Sequence, residues 1–116
     1  MPNALERLVN AAWYSLAGLR AALRHEQAFR QEVAVLVVVI PVGLWVGRSG
    51  VERALLIGCW ILVMVVELIN MAIEAMVDRI GLERHELAGR AKDLGSASVF
   101  CAIVLATTVW VIVLAG

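Results

Sequence analysis

Three long apolar stretches constrain this chain more than any other feature of its sequence. They cover residues 33–47, 54–77 and 94–116, and the last of them contains no charged residue. Of the 116 residues, 62% are hydrophobic and 17% are charged, whereas a soluble domain is roughly half apolar and a quarter charged. The mean hydropathy of +0.88 agrees with this comparison. The sequence therefore predicts a small integral membrane protein formed by a single domain, residues 1–116.

The lengths of these stretches favour membrane-spanning helices. A spanning helix needs about 20 residues, because the hydrocarbon core of a bilayer is about 30 Å thick. The second and third stretches are long enough, and the first becomes so if its helix begins near Phe29. The run 35–40 is continuously apolar and lacks the alternation of a barrel strand. We predict an all-α protein with transmembrane helices at about 29–47, 54–78 and 94–115, and a loop at 79–93.

Residues 4–25 have the pattern of an amphipathic helix. Apolar side chains recur at i, i+3 and i+4 spacing and form one stripe, which consists of Leu5, Leu8, Val9, Ala12, Leu16, Leu19 and Leu23. Trp13 and Tyr14 suit the headgroup region of a bilayer. We predict an N-terminal helix that lies on the membrane surface. Packing of the same stripe against the protein's own spanning helices is an equally open alternative.

The distribution of basic residues predicts the orientation in the membrane. Of the ten basic residues, four precede the apolar stretch 33–47, two lie between the first and second apolar stretches, and four lie in the predicted loop 79–93. The positive-inside rule places the N-terminus and this loop in the cytoplasm, so the C-terminus lies outside. The net charge is zero, which gives no bulk attraction to nucleic acid, and we expect no nucleic-acid partner.

The second span contains polar residues that a lipid-facing helix would not carry. Glu67, Asn70, Glu74 and Asp78 share about 80° of the helix circumference and extend along about 16 Å of it; we call these four residues the carboxylate ladder. A charged side chain at the bilayer centre costs about 2.5–3.5 kcal/mol on insertion scales. A ladder that begins inside the bilayer and ends at the cytoplasmic surface suits catalysis, and a purely structural polar seam is the alternative.

The predicted loop adds groups that can bind phosphate. Lys92 and Asp93 stand at the start of the third span, where a lysine can contact phosphate and a carboxylate can support a metal or a ribose. The sequence has no P-loop and no HRD or DFG kinase motif. These absences exclude the known soluble nucleotide-binding folds. On its own, the charged loop is also compatible with an ordinary solvated turn.

Two motifs together indicate a family. The E-x-x-N-x-x-x-E pattern at 67–74 is followed by G-R-A-K-D at 89–93. With residues 20–22, 26–32, 66–75, 77–80 and 85–97, they resemble the prokaryotic integral-membrane diacylglycerol kinase family over about residues 5–112. The resemblance implies a homotrimer in the bacterial inner membrane, with three spans and a surface helix per subunit. It also implies transfer of the ATP γ-phosphoryl group, with Mg²⁺, to the free hydroxyl of diacylglycerol, giving phosphatidic acid for phospholipid recycling.

The resemblance also implies roles for individual residues. Glu67 would be the general base, Asn70 would orient the base or the phosphate, and Glu26 and Glu74 would hold the metal. Contacts to ATP and its metal would come from Arg7, Tyr14, Glu26, Glu74, Glu83, His85, Lys92 and Asp93. Contacts to the lipid substrate would come from Ala11, Ser15, Arg20, Arg30, Trp45, Arg53, Glu67, Ser96 and Trp110.

The carboxylate ladder also predicts an assembly. Three spans and one surface helix cannot by themselves shield Glu67 and Glu74 from lipid, and exposure of both would cost several kcal/mol. A closed cyclic oligomer turns each ladder towards protein. We therefore expect active sites at subunit interfaces, with the ladder from one chain and some nucleotide or phosphate contacts from another.

Three other functions remain open at this point. An undecaprenol kinase would share the family and the chemistry, although residues 20–32 look more like the diacylglycerol branch. A small proton-coupled exporter would also carry an intramembrane glutamate, but it would have four spans and sparse loops. A structural subunit would use the polar residues for assembly alone and would not turn over ATP.

Overall fold

A computed structural model describes residues 1–80 and 86–116, and within those residues it consists of four α-helices. They are α1 (Ala4–His25), α2 (Gln27–Val46), α3 (Gly50–Ile80) and α4 (Glu86–Ala115). The predicted nucleotide-contacting residues Glu83 and His85 lie outside the described residues. The all-α prediction is confirmed.

Three of the helices are long and apolar enough to cross a membrane. These are α2 with 20 residues, α3 with 31 and α4 with 30. At 1.5 Å per residue, α3 is about 46 Å long, which exceeds the thickness of the hydrocarbon core by about 16 Å. The described part of the chain thus has the three predicted spans, and not the four that a small exporter requires.

The helices begin and end near the predicted positions, with one difference. Residues 86–93 form the first two turns of α4, whereas the sequence predicts a loop at 79–93. The difference arises because this segment is rich in charged residues, which favour a loop prediction. Its apolar residues nevertheless have helical spacing, since Leu87, Ala91 and Leu94 lie at i, i+4 and i+7. Lys92 and Asp93 therefore project from a rigid helix and not from a loop.

A tight connection joins α1 to α2. The single residue Glu26 has extended backbone (φ −118°, ψ 112°) and its N–H donates to Ala22 O. The Arg30 guanidinium donates from Nη1 to Leu23 O at 3.0 Å and to Arg24 O at 3.1 Å, so it pairs carbonyls that the last turn of α1 leaves without an intrahelical partner. At the other end of α1, Asn3 Oδ1 accepts from Glu6 N at 2.8 Å. The sequence thus determines both ends of α1.

The core lies mainly between α3 and α4. Cys59 and Val63 of α3 pack with Ala102 and Ala106 of α4, and small side chains on α4 let the two backbones approach closely. Trp110 Nε1 donates to Leu56 O at 3.1 Å across the same interface. Towards α2, Trp60 Nε1 donates to Glu32 O at 2.9 Å. These contacts fix which face of α3 turns towards its neighbours.

Candidate active site

The carboxylate ladder passes from the interior of the molecule to its surface. Glu67 and Asn70 are buried, with 8% and 7% of their surface exposed. Glu74 is half-buried and Asp78 is exposed. Because the four residues share one face of α3, they form a path about 16 Å long between a sheltered end at Glu67 and an accessible end at Asp78.

Asn70 stands at the centre of the ladder, in contact with α4. Its Nδ2 donates to Glu74 Oε1 at 3.4 Å, while its Oδ1 is buried without a hydrogen-bond partner. Gly95 of α4 lies directly against it, and a methyl group built on Gly95 would overlap Asn70 Oδ1. A buried acceptor without a hydrogen-bond partner carries a free-energy cost, and here Gly95 of α4 covers that oxygen.

Additional carboxylates surround Glu67. Glu26, at the junction of α1 and α2, and Glu74 both lie close enough to interact electrostatically with the Glu67 carboxylate. Glu32 of α2 does so as well, and its Oε1 is buried without a hydrogen-bond partner. The Trp60 hydrogen bond to the Glu32 carbonyl anchors this part of α2 on α3. Four carboxyl groups from three segments therefore converge on one region.

Sequence reasoning assigned no role to Glu32. Its position at the start of an apolar stretch was a signal, because a carboxylate there must face protein or a polar site. Asp78 was recognised as part of the ladder but given no function, and Gly95 was not singled out. Their roles depend on which faces of α3 and α4 meet, which spacing along one helix does not determine.

A cavity of about 630 Å³ lies between α1 and α3 beside this region. Its lining is mostly apolar and includes Leu68 and Met71, with Ser15, His25 and Glu26 as polar members. Apolar walls with a few convergent polar groups are typical of a ligand site. The cavity is large enough for part of an acyl chain and its polar head.

The groups that could meet phosphate lie at the exposed end of the ladder. Lys92 Nζ is 2.7 Å from Asp78 Oδ1, which links the second turn of α4 to the last turns of α3. Asp93 follows on α4 and is exposed. The accessible end thus combines the Lys92 ammonium with the carboxylates of Asp78 and Asp93, whereas the titratable groups around Glu67 are carboxyl groups.

The structure brings together only some of the predicted site residues. Glu26, Glu67, Asn70 and Glu74 form one region, and Ser15 lines the adjacent cavity. Arg7 lies about 12 Å from Ser15 along α1, towards the N-terminus. Tyr14, which precedes Ser15 in the sequence, is exposed. Other predicted contacts on exposed helix surfaces of the same chain are Ala11, Arg20, Arg30 and Ser96.

Three predicted lipid contacts lie at the opposite ends of the helices from Glu74 and Asp78. Arg53 is about 21 Å from Glu67 along α3, and its Nε donates to Leu44 O at 3.1 Å. Trp110 is half-buried and donates to Leu56 O. Trp45 is 84% exposed near the end of α2. Within one chain, the donor atoms of Arg53 and Trp110 hold helices together.

The donor set suits Mg²⁺ held jointly with a ligand. Across residues 1–80 and 86–116, no three His, Cys, Asp or Glu side chains already stand as a metal cage. Mg²⁺ is usually bound by one or two carboxylates together with substrate phosphates and water. Glu26 and Glu74, which both lie near Glu67, supply hard carboxylate oxygens of the required kind.

Comparisons with known proteins identify a family for this chain. The family model described as prokaryotic diacylglycerol kinase matches residues 13–114. The chain is 51% identical over 108 residues to the diacylglycerol kinase of Escherichia coli strain K12, which covers 93% of this chain and 88% of that protein. It is 52% identical over 112 residues to the diacylglycerol kinase of Pseudomonas aeruginosa PAO1, covering 97% and 91%. The Helicobacter pylori 26695 diacylglycerol kinase is 40% identical over 105 residues, covering 90% and 82%.

Proposed function

The chain belongs to the prokaryotic diacylglycerol kinase family, and from that premise we propose how its residues divide the work of phosphoryl transfer. It is a multi-pass membrane lipid kinase that phosphorylates diacylglycerol to phosphatidic acid, with ATP as co-substrate. One observation of the structure supports the assignment of the site above all others. It is the carboxylate ladder, which begins at the buried Glu67 of a spanning helix and ends at Asp78, where Lys92 forms an ion pair with it.

Glu67 is the general base. The acceptor is the free hydroxyl of a lipid, so it approaches from within the bilayer, where the buried end of the ladder lies. The Glu67 carboxylate takes the hydroxyl proton as the hydroxyl oxygen bonds to the γ-phosphorus and the bond to ADP breaks. The apolar cavity beside Leu68 and Met71 receives the glycerol and the first part of an acyl chain.

Asn70 orients the reacting groups. Its Nδ2 donates to Glu74 Oε1, so the amide orients the carboxylate next to the base. Packing against Gly95 keeps this amide in place. In a reaction that depends mostly on positioning and charge neutralisation, such rigidity is a direct contribution to rate.

The charges of the triphosphate are neutralised by groups from two directions. Glu26 and Glu74 would hold Mg²⁺, which would supply charge neutralisation for the transferred phosphoryl group. Lys92 contacts the phosphates from the accessible end. Arg7, Tyr14, Glu83, His85 and Asp93 contact the nucleotide, and the lipid contacts are those implied by the resemblance.

Active sites shared between subunits explain why a single chain does not bring all the predicted site residues together. The outer faces of α2, α3 and α4 expose large apolar side chains, including Val37, Ile69 and Phe100, and a homotrimer covers part of this surface. Arg7 and Tyr14 do not reach the cavity within their own chain, so they act on the site of a neighbouring subunit. The N-terminus and residues 79–93 face the cytoplasm, which places ATP at the Asp78 end of the ladder, and α1 lies on the membrane surface.

An assay with two lipids tests the function. Purified protein is incubated with labelled ATP, Mg²⁺ and either diacylglycerol or undecaprenol in mixed micelles, and the labelled lipid is separated. We expect label in phosphatidic acid. Label in undecaprenyl phosphate but not in phosphatidic acid would show that undecaprenol is the lipid substrate. The absence of any labelled lipid would contradict kinase activity.

A further inference from the structure

One polar contact of the ladder has no part in the division of roles given above. Asp78, in the last turns of α3, and Lys92, in the second turn of α4, form an ion pair with 2.7 Å between Oδ1 and Nζ. Both side chains face solvent, with 65% and 46% of their surfaces exposed. The pair spans the two helices on either side of residues 81–85. An exposed ion pair of this kind contributes little to stability. Its main effect is therefore on the position of the Lys92 side chain.

The geometry of α4 explains why Lys92 meets Asp78. Lys92 is three residues before Gly95 and therefore on the same helix face, and Gly95 packs against Asn70 of the ladder. Side chains on a helix lean towards its N-terminus. In α4 that direction leads from the level of Asn70 towards the exposed end of α3, where Asp78 lies. The Glu74 carboxylate also attracts the Lys92 ammonium electrostatically.

A lysine needs such a partner if it is to act at a defined place. Its ammonium sits on a flexible four-carbon stem, and holding that stem in one conformation costs entropy. The ammonium has three donors, and Asp78 Oδ1 uses one of them. Two donors stay available for phosphate oxygens.

We propose that Asp78 is a positioning residue for nucleotide binding, which holds the Lys92 ammonium at the accessible end of the carboxylate ladder before a triphosphate arrives. This inference rests on the proposed contact between Lys92 and the phosphates of ATP. Asp78 itself does not touch the substrate or the reacting atoms. Asp78 restricts the conformations of the Lys92 side chain. It therefore affects the affinity for ATP and not the rate of the chemical step.

The test is the kinetics of Asp78→Asn in the full-length protein, with ATP varied at saturating diacylglycerol and Mg²⁺. We expect KM for ATP to rise about threefold to tenfold, which corresponds to the entropy cost of immobilising one long side chain on binding. The value of kcat should stay within about twofold of wild type. Asp78→Glu keeps the charge, and KM for ATP should stay within about twofold. If Asp78→Asn does not purify as folded protein, Asp78→Ser carries the same expectation.

Another ion pair provides a matched control. Arg90 and Glu86 are 3.6 Å apart on the exposed surface near the same end of α4. Glu86→Gln removes an exposed carboxylate of similar setting without touching Lys92, and KM for ATP should not change. An equal rise in Glu86→Gln and Asp78→Asn would show a general charge effect, and it would overturn the positioning role.

A double-mutant cycle separates this inference from the proposed function. Lys92→Met should raise KM for ATP strongly, and adding Asp78→Asn to it should have no further effect. A normal KM for ATP in Lys92→Met would remove Lys92 from the nucleotide site and refute the proposed function at that point. If Lys92→Met is impaired but Asp78→Asn has unchanged or lowered KM, or raises KM equally in the Lys92→Met background, only the role of Asp78 is overturned.

Discussion

Replacement of Gly95 by alanine tests whether contact between α3 and α4 sets the geometry of the site. The added methyl group would overlap Asn70 Oδ1 and lie 3.2 Å from Asn70 Cγ. The amide must therefore move by about 1 Å to regain van der Waals separation, or α4 must move away from α3. Misplacement of a positioning group by about 1 Å can lower a rate by about a hundredfold. We expect the turnover of Gly95→Ala to fall by about tenfold to a hundredfold.

The stability effect can be worked out from two opposing contributions. Overpacking of a close contact costs about 1–3 kcal/mol, whereas alanine in place of glycine inside a helix is favourable by about 0.8–1 kcal/mol. The net expectation is a destabilisation of up to about 2 kcal/mol. Gly58→Ala provides the control, because a methyl group at Gly58 meets nothing within 4 Å, and its turnover should stay within about twofold of wild type.

Thermal unfolding in detergent and turnover with diacylglycerol should be measured on the same preparations. The decisive comparison uses Asn70→Ala as background, since removing the amide makes room for the methyl group. Gly95→Ala should then cost no stability relative to Asn70→Ala alone. Normal turnover and unchanged unfolding of the single variant would refute the reasoning, as would an equal cost of Gly95→Ala in both backgrounds.

Three further predictions concern the metal, the assembly and the packing of α2. Glu74→Gln should raise the Mg²⁺ concentration needed for half-maximal activity, because a charged oxygen ligand becomes a neutral amide; an unchanged Mg²⁺ titration would exclude Glu74 from the metal site. Glu67→Gln and Asp93→Asn, mixed in denaturing detergent and refolded together, should regain a sizeable fraction of wild-type activity if sites are shared, whereas Glu67→Gln mixed with Asn70→Ala should stay inactive because both changes damage the same ladder. Recovery in neither mixture would contradict shared sites. Trp60→Phe removes the Nε1 hydrogen bond to Glu32 O and should lower the unfolding free energy by about 0.5–1.5 kcal/mol; unchanged unfolding would show that this bond does not anchor α2.

Most of the fold could be predicted because the apolar stretches leave few alternatives. A run of about 20 apolar residues has to be a spanning helix, and the stripe through Leu8 and Leu16 specifies a helix before the first span. The ladder could be predicted for the same reason, since spacings of three and four residues place Glu67, Asn70 and Glu74 on one face. Those inferences use only the periodicity of a single helix.

What the sequence could not provide is the rotation of one helix against another. Nothing in the spacing of α4 says that Gly95 faces Asn70, or that Lys92 reaches Asp78. The convergence of Glu32 with Glu67 likewise depends on how α2 lies against α3, which the Trp60 hydrogen bond determines. The sequence also does not predict the helical start at Glu86, because a dense run of charged residues between two spans is typical of a loop.

The identity of the base is the central claim, and a comparison of Glu67→Gln with Glu52→Gln tests it most directly. Both substitutions change a glutamate of α3 into its amide, but Glu52 pairs with Arg48 near the start of the helix, far from the site. Turnover should be measured at saturating ATP, Mg²⁺ and diacylglycerol, together with binding of a non-hydrolysable ATP analogue. The account predicts that Glu67→Gln loses about a hundredfold or more in turnover while it still binds the analogue, and that Glu52→Gln keeps near-normal turnover. Near-normal turnover of Glu67→Gln would contradict it.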